Sequence, residues 1–176
     1  MLDKSIYENK EICSACGGRC CKAAGCEIEP QDFVGEITKE RILELLNTGV
    51  VCIEEFIYKY KYKDGYNEGF TLRMRGIKDK YKTTSHNLFM SNRCVLLNDN
   101  GCKLDFDNRP SGAKLLIPDK NQECYYPNYT PEIWKDYFKL LGEIYKELQI
   151  SKDSIFEDKE YNIQDFKRIL KNYKGG

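Results

Sequence analysis

The stretch CSACGGRCCKAAGC, residues 13–26, decides how the rest of this chain is interpreted. Five of its fourteen residues are cysteine and three are glycine. Thiols packed so closely suit three arrangements, namely a disulfide scaffold, a metal site or a catalytic thiol. The remaining sequence has to distinguish among them.

Length and charge describe an ordinary domain. The 176 residues are enough to bury a hydrophobic core without covalent cross-links. Lys+Arg and Asp+Glu both number 28, so no overall positive field favours nucleic acid or an anionic membrane. The polar start MLDKSIYENKE lacks the apolar core of a signal peptide, and no apolar run approaches a membrane span. We expect a single cytoplasmic domain, residues 1–176, that binds neither nucleic acid nor membrane.

The compartment bears on the cysteines. Cytoplasmic thiols are kept reduced, so a dense cysteine pattern there indicates metal binding or catalysis rather than disulfides. The nine cysteines would also leave one thiol over from a complete set of disulfides. A catalytic thiol needs a base, and His86 is the only histidine in the chain. His86 lies in a polar segment, and we expect it to be a surface or turn residue rather than a ligand. A metal site is therefore the favoured interpretation.

The first half of the chain predicts a helix followed by a hairpin. Thr38 is placed to cap a helix near 39–47 that ends before Gly49. Residues 50–76 alternate with period two and predict two or three strands, with a turn at 64–65 or within 67–69. From 76 to 93 the sequence is polar, and we expect a loop with one short helix around 85–90.

The second half predicts helices. Thr130 and Pro131 begin an apolar stripe that predicts a long helix over 131–149, and a shorter amphipathic helix follows around 163–173. The whole pattern predicts a small α+β domain with a cysteine-ligated metal centre, a short antiparallel hairpin and two to four packing helices.

The cysteines fall into two groups that lie far apart in sequence. Cys13 and Cys16 have the C-x2-C spacing that lets two sulfurs face one centre. We expect segments 13–26 and 94–124 to converge on that centre. The predicted metal ligands are Cys13, Cys16, Cys20, Cys21, Cys26, Cys94, Cys102 and Cys124. Cys52, inside the apolar segment VVCIEEF, is expected to be a small buried hydrophobe instead.

The adjacent pair Cys20-Cys21 favours a polynuclear centre. Neighbouring Cα atoms are about 3.8 Å apart and their side chains diverge, so two neighbours seldom bind one tetrahedral ion. They more naturally bind two ions, or different atoms of one cluster. Soft thiolates without histidine suit an iron–sulfur cluster, our first choice, or Zn²⁺, the alternative.

Three arginines are candidates for cofactor binding. Arg73, Arg75 and Arg109 are expected either to face an anionic substrate or to stabilise the negative charge of a thiolate cluster. The alternative is pairing with acidic residues at the surface. Residues 58–63 alternate tyrosine and lysine, which we interpret as an amphipathic strand rather than a binding surface for single-stranded nucleic acid.

These motifs resemble the YkgJ-type cysteine-cluster family, which carries a CxxCxxCC signature. Here the signature reads CSACGGRCC over 13–21, with one extra residue before the double cysteine. The likeness continues through GCEIEPQDF at 25–33, through LRMR at 72–75, and from Cys94 to Arg109-Pro110. It covers roughly residues 13–127 and implies a zinc- or iron-chelating domain.

One departure from the family pattern follows Arg109-Pro110. Many members have a cysteine shortly after this pair, whereas this chain has SGAK, which puts Ala113 at the expected ligand position. Either Cys124 substitutes for it, or the metal has one ligand fewer and an open coordination position, as in reactive metal sites.

Activity is left open by the resemblance. Related cysteine-cluster proteins include flagellin lysine methylases, which resemble enzymes that pair an iron–sulfur cluster with S-adenosylmethionine. The alternatives to a metal-binding protein are therefore a methyltransferase-like enzyme with that cofactor and a zinc-stabilised protein-interaction module. A small molecule or a protein is the open substrate class. The chain lacks a glycine-rich nucleotide fingerprint and a C-x3-C-x2-C radical motif.

Overall fold

A computed structural model describes most of the chain, and its elements are mixed α and β. The described residues are 11–12, 15, 17–23, 25–59, 66–85, 92–99, 101–117, 119, 131–151, 154–156 and 161–171. The α-helices among them are α1 Arg19–Ala23, α2 Lys39–Asn47, α3 Ser111–Lys114, α4 Pro131–Gln149 and α5 Ile163–Lys171. The strands are β1 Glu27–Ile28, β2 Val51–Lys59, β3 Tyr66–Met74, β4 Thr83–Ser85, β5 Leu97–Asn98 and β6 Gly101–Cys102. The predicted α+β class is confirmed.

The predicted hairpin forms the centre of the sheet. Strands β2 and β3 pair antiparallel from Val51 opposite Met74 to Lys59 opposite Tyr66. The turn proposed at 67–69 is wrong, because those residues lie inside β3. Position 69 requires glycine for packing and not for a turn, because a Cβ atom there would clash with the ring of Phe56 on the neighbouring strand. The alternative turn at 64–65 lies outside the described residues, as do the side chains of 58–63.

Two short strands complete the sheet in the order β1-β3-β2-β4. β1 pairs antiparallel with β3, and β4 pairs parallel with β2, where the backbone N–H of Ile53 donates to the carbonyl of Lys82 at 2.8 Å. The sequence predicted a loop here and a helix starting near Ser85, but Ser85 ends β4. Three residues are too short a run to give a strand signal of their own. β4 forms because it pairs with β2. Residues 86–91, with His86, are not described.

The predicted packing helices are confirmed. Thr38 caps α2 and accepts a hydrogen bond from the N–H of Arg41 at 3.3 Å. Helix α4 lies against β3, where the rings of Tyr145 and Phe70 are 5.1 Å apart. The apolar faces of the three packing helices enter one core, through Ile42, Leu45 and Leu46 of α2, Trp134, Tyr137, Leu141 and Ile144 of α4, and Phe166, Ile169 and Leu170 of α5. The predicted cap Thr130 lies outside the described residues.

A buried arginine joins α2 to the end of α5. Arg41 has no exposed surface, and its guanidinium donates to the carbonyls of Ile169 at 2.7 and 2.9 Å and of Leu170 at 2.8 Å. The last carbonyls of a helix have no partner within the helix, and their partial negative charge favours a cation. Arg41 supplies both the hydrogen-bond donors and the positive charge. The apolar periodicity of α2 did not predict this role.

Within the described part of the chain, the helices are all too short or too polar to traverse a lipid bilayer.

Candidate metal centre

The two cysteine segments lie side by side at the end of β3. The carbonyl of Cys26 accepts a hydrogen bond from the N–H of Met74 at 2.8 Å. Two residues further along, Gly76 forms an antiparallel bridge with Cys94, whose N–H donates to the carbonyl of Cys21 at 2.8 Å. The described backbones of segments 13–26 and 94–124 are therefore in direct contact through the Cys94–Cys21 hydrogen bond. The end of β3 lies beside both segments.

Glycines permit this close approach. A Cβ atom at Gly25 would clash with the carbonyl of Met74, so only glycine lets the chain pass there. Gly17 and Gly18 both adopt positive φ, at 63° and 73°, and form a turn before the double cysteine. A Cβ atom at Gly18 would lie 3.5 Å from the side chain of Leu97 in β5. The glycine content of the first segment thus has a packing cause as well as a conformational one.

The later segment presents two cysteines around a small hairpin. Cys94 is buried, and Cys102 pairs across the hairpin with Leu97. The N–H of Leu104 donates to the Sγ atom of Cys102 at 3.4 Å. Donors aimed at a sulfur stabilise its thiolate form, and they are among the groups that tune metal–thiolate sites.

Neighbouring groups have opposing effects on the pKa of the Cys94 thiol. Burial raises the pKa of the Cys94 thiol, the backbone N–H of Leu96 lowers it, and the nearby Cys102 raises it further. The N–H of Leu97 and the charge of Arg73 act against these raising effects. A buried thiol with such donors stays protonated until a cation supplies the missing positive charge, which is how a metal deprotonates its cysteine ligands.

Half of the predicted ligand set can be described. Cys13, Cys16, Cys124 and the side chain of Cys20 lie outside the described residues. Cys21, Cys26, Cys94 and Cys102 lie in the two adjoining segments, partly or fully buried against the core. Among the described residues, no group of three or more His, Cys, Asp or Glu side chains is arranged to hold a metal ion. The metal centre and its ligand set stay predictions.

Arg73 has acidic partners in the interior. It is 7% exposed, and its guanidinium pairs with Glu54 and with Asp79, the latter at 3.0 Å. The alternative of pairing with acidic residues is therefore confirmed for Arg73, but in the interior and not at the surface, because the strand pairing places it opposite Cys52 within the sheet. Its charge lowers the pKa of Cys94, after the larger effects of burial, the backbone groups and Cys102.

The other two arginines bind backbone carbonyls. Arg75 donates to the carbonyls of Asp79 at 3.0 Å and Gly49 at 3.3 Å, and its guanidinium lies 3.8 Å from the ring centre of Phe156. Arg109 donates to the carbonyl of Leu104 at 3.3 Å. Arg75 thus holds the turn that follows β3, and Arg109 holds the turn that follows Cys102. A role in cofactor binding stays a prediction for all three arginines.

Cys52 is buried as predicted, with no exposed surface. Its Sγ atom donates to the carboxylate of Asp79 at 3.6 Å. Burial, as the largest cause, raises the pKa of this thiol well above its usual value. Cys52 therefore behaves as a small protonated core residue.

The departure at Ala113 lies beside the first cysteine segment. The carboxylate of Asp32 caps α3, accepting from the N–H of Ser111 at 2.9 Å and from its hydroxyl at 2.7 Å. A Cβ atom at Gly112 would lie 2.6 Å from the carbonyl of Glu27, so α3 sits directly on β1. Position 113, where a further ligand was expected, follows within the same short helix, next to the strand that begins after Cys26.

Two residues important for this arrangement carry no clear sequence signal. Asp79 and Asn92 join the end of β3 to the segment before Cys94, through a hydrogen bond of 2.8 Å from the Asn92 amide to the Asp79 carboxylate. Both lie in the polar stretch interpreted as a loop. Asp79 follows a turn, which is a common place for Asp, and that was its only available signal.

Comparisons with known proteins found no family model, no curated protein and no solved structure that matches this chain. The likeness to the YkgJ-type proteins rests on the cysteine motif and its continuation, and it stays a prediction. The geometry of the described residues is the direct support for any function.

Proposed function

We propose that this protein holds a metal centre through cysteine thiolates, as an iron–sulfur cluster first and as zinc in the alternative. The observation that most supports this function is the hydrogen bond from the N–H of Cys94 to the carbonyl of Cys21. It joins the two cysteine-rich segments at the residues predicted to be ligands. Nothing in the local sequence of either segment requires the two to meet.

The donor set fits a soft metal. Thiolates favour zinc and iron–sulfur clusters over the ions that prefer oxygen ligands. The N–H group of Leu104 faces the Cys102 sulfur, and those of Leu96 and Leu97 favour the thiolate of Cys94. Cys94 and Cys102 are not in disulfides, so each can lose its proton and bind a metal as a thiolate.

The double cysteine supports a cluster over a single ion. Cys20 and Cys21 lie in the backbone of α1, and an α-helix turns by about 100° from one residue to the next. Adjacent cysteines seldom bind one tetrahedral ion, so the pair favours a centre with more than one metal atom. A bound cluster supplies positive charge to the buried thiolates and a site for one-electron chemistry.

The decisive experiment is metal analysis of protein purified without oxygen. We expect a brown sample with visible absorption that contains iron and acid-labile sulfide. A colourless sample with stoichiometric zinc would replace the cluster by the zinc alternative. A sample that contains no metal and has oxidised thiols would overturn both forms of the proposal.

A further inference from the structure

The carboxylate of Asp79 is the centre of a buried network behind the cysteine segments. Its Oδ2 atom accepts hydrogen bonds from the N–H of Gly76 at 2.7 Å and from the Nη1 atom of Arg73 at 3.0 Å. Its Oδ1 atom accepts from the Nδ2 atom of Asn92 at 2.8 Å. Asp79 is 7% exposed, so these bonds replace water around a buried charge. One side chain thus fixes the turn that follows β3.

Asn92 connects that turn to the first cysteine segment. Its Oδ1 atom accepts from the N–H of Lys78 at 2.9 Å, and its backbone N–H donates to the carbonyl of Ala23 at 3.0 Å. Ala23 is the last residue of α1, the helix that carries the double cysteine. Asn92 is therefore held by the turn through its side chain and by α1 through its backbone.

The position of Cys94 follows from these two anchors. Cys94 comes two residues after Asn92, bridges Gly76 on one side and donates to the carbonyl of Cys21 on the other. Gly76 is itself bound by Asp79. The network thus sets the separation between the backbone of Cys94 and that of Cys21.

Resting on the proposed function, we propose that Asp79 and Asn92 are positioning residues of the metal centre, which hold the Cys94 segment in register with α1. Neither residue is a ligand in this proposal. Groups that orient metal ligands usually affect metal affinity by about 10–100-fold when they are substituted. A residue that serves stability alone would leave the environment of the bound metal unchanged.

The test exchanges the donor and the acceptor of one hydrogen bond. Asp79→Asn leaves a single oxygen, which cannot accept both from Asn92 and from Gly76 with Arg73. Asn92→Asp puts a carboxylate opposite the carboxylate of Asp79 and loses the bond. The double variant Asp79→Asn, Asn92→Asp restores it with donor and acceptor reversed. The bonds from Gly76, Arg73 and Lys78 need only an oxygen at each position, so the double variant keeps them, with the Arg73 contact changed from an ion pair to a hydrogen bond. Asn47→Ala is the matched control, because Asn47 accepts only an exposed bond from Lys82 at 2.8 Å in the described contacts of its side chain.

The readouts are the rate of metal release to a chelator and the visible spectrum of the metal that stays bound. Where the native metal is zinc, Co²⁺ in its place supplies the spectrum. We expect release to be about 10–100-fold faster in both single variants, with an altered spectrum, and close to wild type in the double variant and in Asn47→Ala. Thermal unfolding of the metal-free proteins shows whether each variant is folded.

The outcomes separate this inference from the proposed function. Wild-type protein without metal overturns both. Wild-type protein with metal, together with unchanged release and spectrum in the single variants, overturns the positioning role alone. Failure of the double variant to recover, while it is folded, also overturns it. If the single variants do not fold, the double variant still decides, because its recovery of wild-type release and spectrum requires the restored bond.

Discussion

The backbone N–H of Cys94 donates to the carbonyl of Cys21 at 2.8 Å, so residues from the two separate cysteine segments share one hydrogen bond. The end of β3 lies beside both, bound to Cys26 through Met74 and to Cys94 through Gly76. A strand end that pairs with two segments can bring side chains of both to one side of the sheet.

The first prediction separates the cysteines of the site from the core cysteine. Cys94→Ser should lower the metal content of anaerobically purified protein, because it replaces a buried, predicted soft ligand in the contact region. Cys52→Ala should keep the metal, since Cys52 is buried beside Asp79 and outside the predicted ligand set. Metal per protein chain, measured by elemental analysis, compares the two. Equal loss from both variants would contradict the assignment of Cys94.

The second prediction concerns the glycine next to Cys26. Gly25→Ala should lower the free energy of unfolding by at least about 3 kcal/mol, because the new methyl group meets the rigid carbonyl of Met74. Gly35→Ala is the control. Gly35 has φ of 84° with nothing within 4 Å of the added atom, so only backbone strain of about 1–2 kcal/mol is expected.

Urea unfolding measured by circular dichroism gives both values. A smaller loss for Gly25→Ala than for Gly35→Ala would show that β1 can move away from β3. The contact between the first cysteine segment and the strand end would then be looser than the structure has it.

The parts of the fold that the sequence predicted are those with local signals. Helices α2 and α4 have caps or apolar stripes that repeat over several turns, and β3 alternates apolar and polar residues over 70–74. Such patterns form within one segment, so they can be recognised without the rest of the chain. The burial of Cys52 was predictable for the same reason.

The parts that escaped prediction depend on partners remote in sequence. β4 has three residues, Thr83–Ser85, and is a strand only because β2 pairs with it. Arg41 occupies an inward position that would suit leucine, and its partners lie in α5. For the candidate site, the cysteine motif predicted which segments meet. Asp79, which the sequence left in a loop, fixes how they meet.

The third prediction tests the buried arginine. Arg41→Met should lower the free energy of unfolding by about 3 kcal/mol, because the buried carbonyl of Ile169 would lose both guanidinium donors and that of Leu170 would keep only the N–H of Val34. Arg41→Lys should recover only part of the loss, since an ammonium cannot reproduce the planar fork of donors.

Arg168→Ala supplies the comparison on the same helix end. Arg168 pairs with Asp165 at 3.1 Å while its side chain is 55% exposed, so a change within about 0.5 kcal/mol is expected. Denaturant unfolding of the three variants measures the difference. If Arg41→Met and Arg168→Ala cost the same, the buried contacts of Arg41 contribute little to the attachment of α5.

The fourth prediction is a dependence on pH at the turn after the cysteine hairpin. The amide of Asn108, as the largest cause, holds the pKa of Asp105 below its usual value, and the N–H of Asn108 donates to the same carboxylate at 3.1 Å. A carboxylate with a lowered pKa in the folded state stabilises the protein above its unfolded pKa, and this contribution disappears as the pH falls through the folded pKa. Asp105→Ala should therefore unfold at a lower temperature than wild type near pH 7, and this difference in unfolding temperature should narrow once the pH falls below about 4.

Asp107→Ala, in the same turn, controls for the loss of an exposed carboxylate. A gap for Asp105→Ala that stays constant from neutral to acidic pH would show that the ionised carboxylate does not cap this turn.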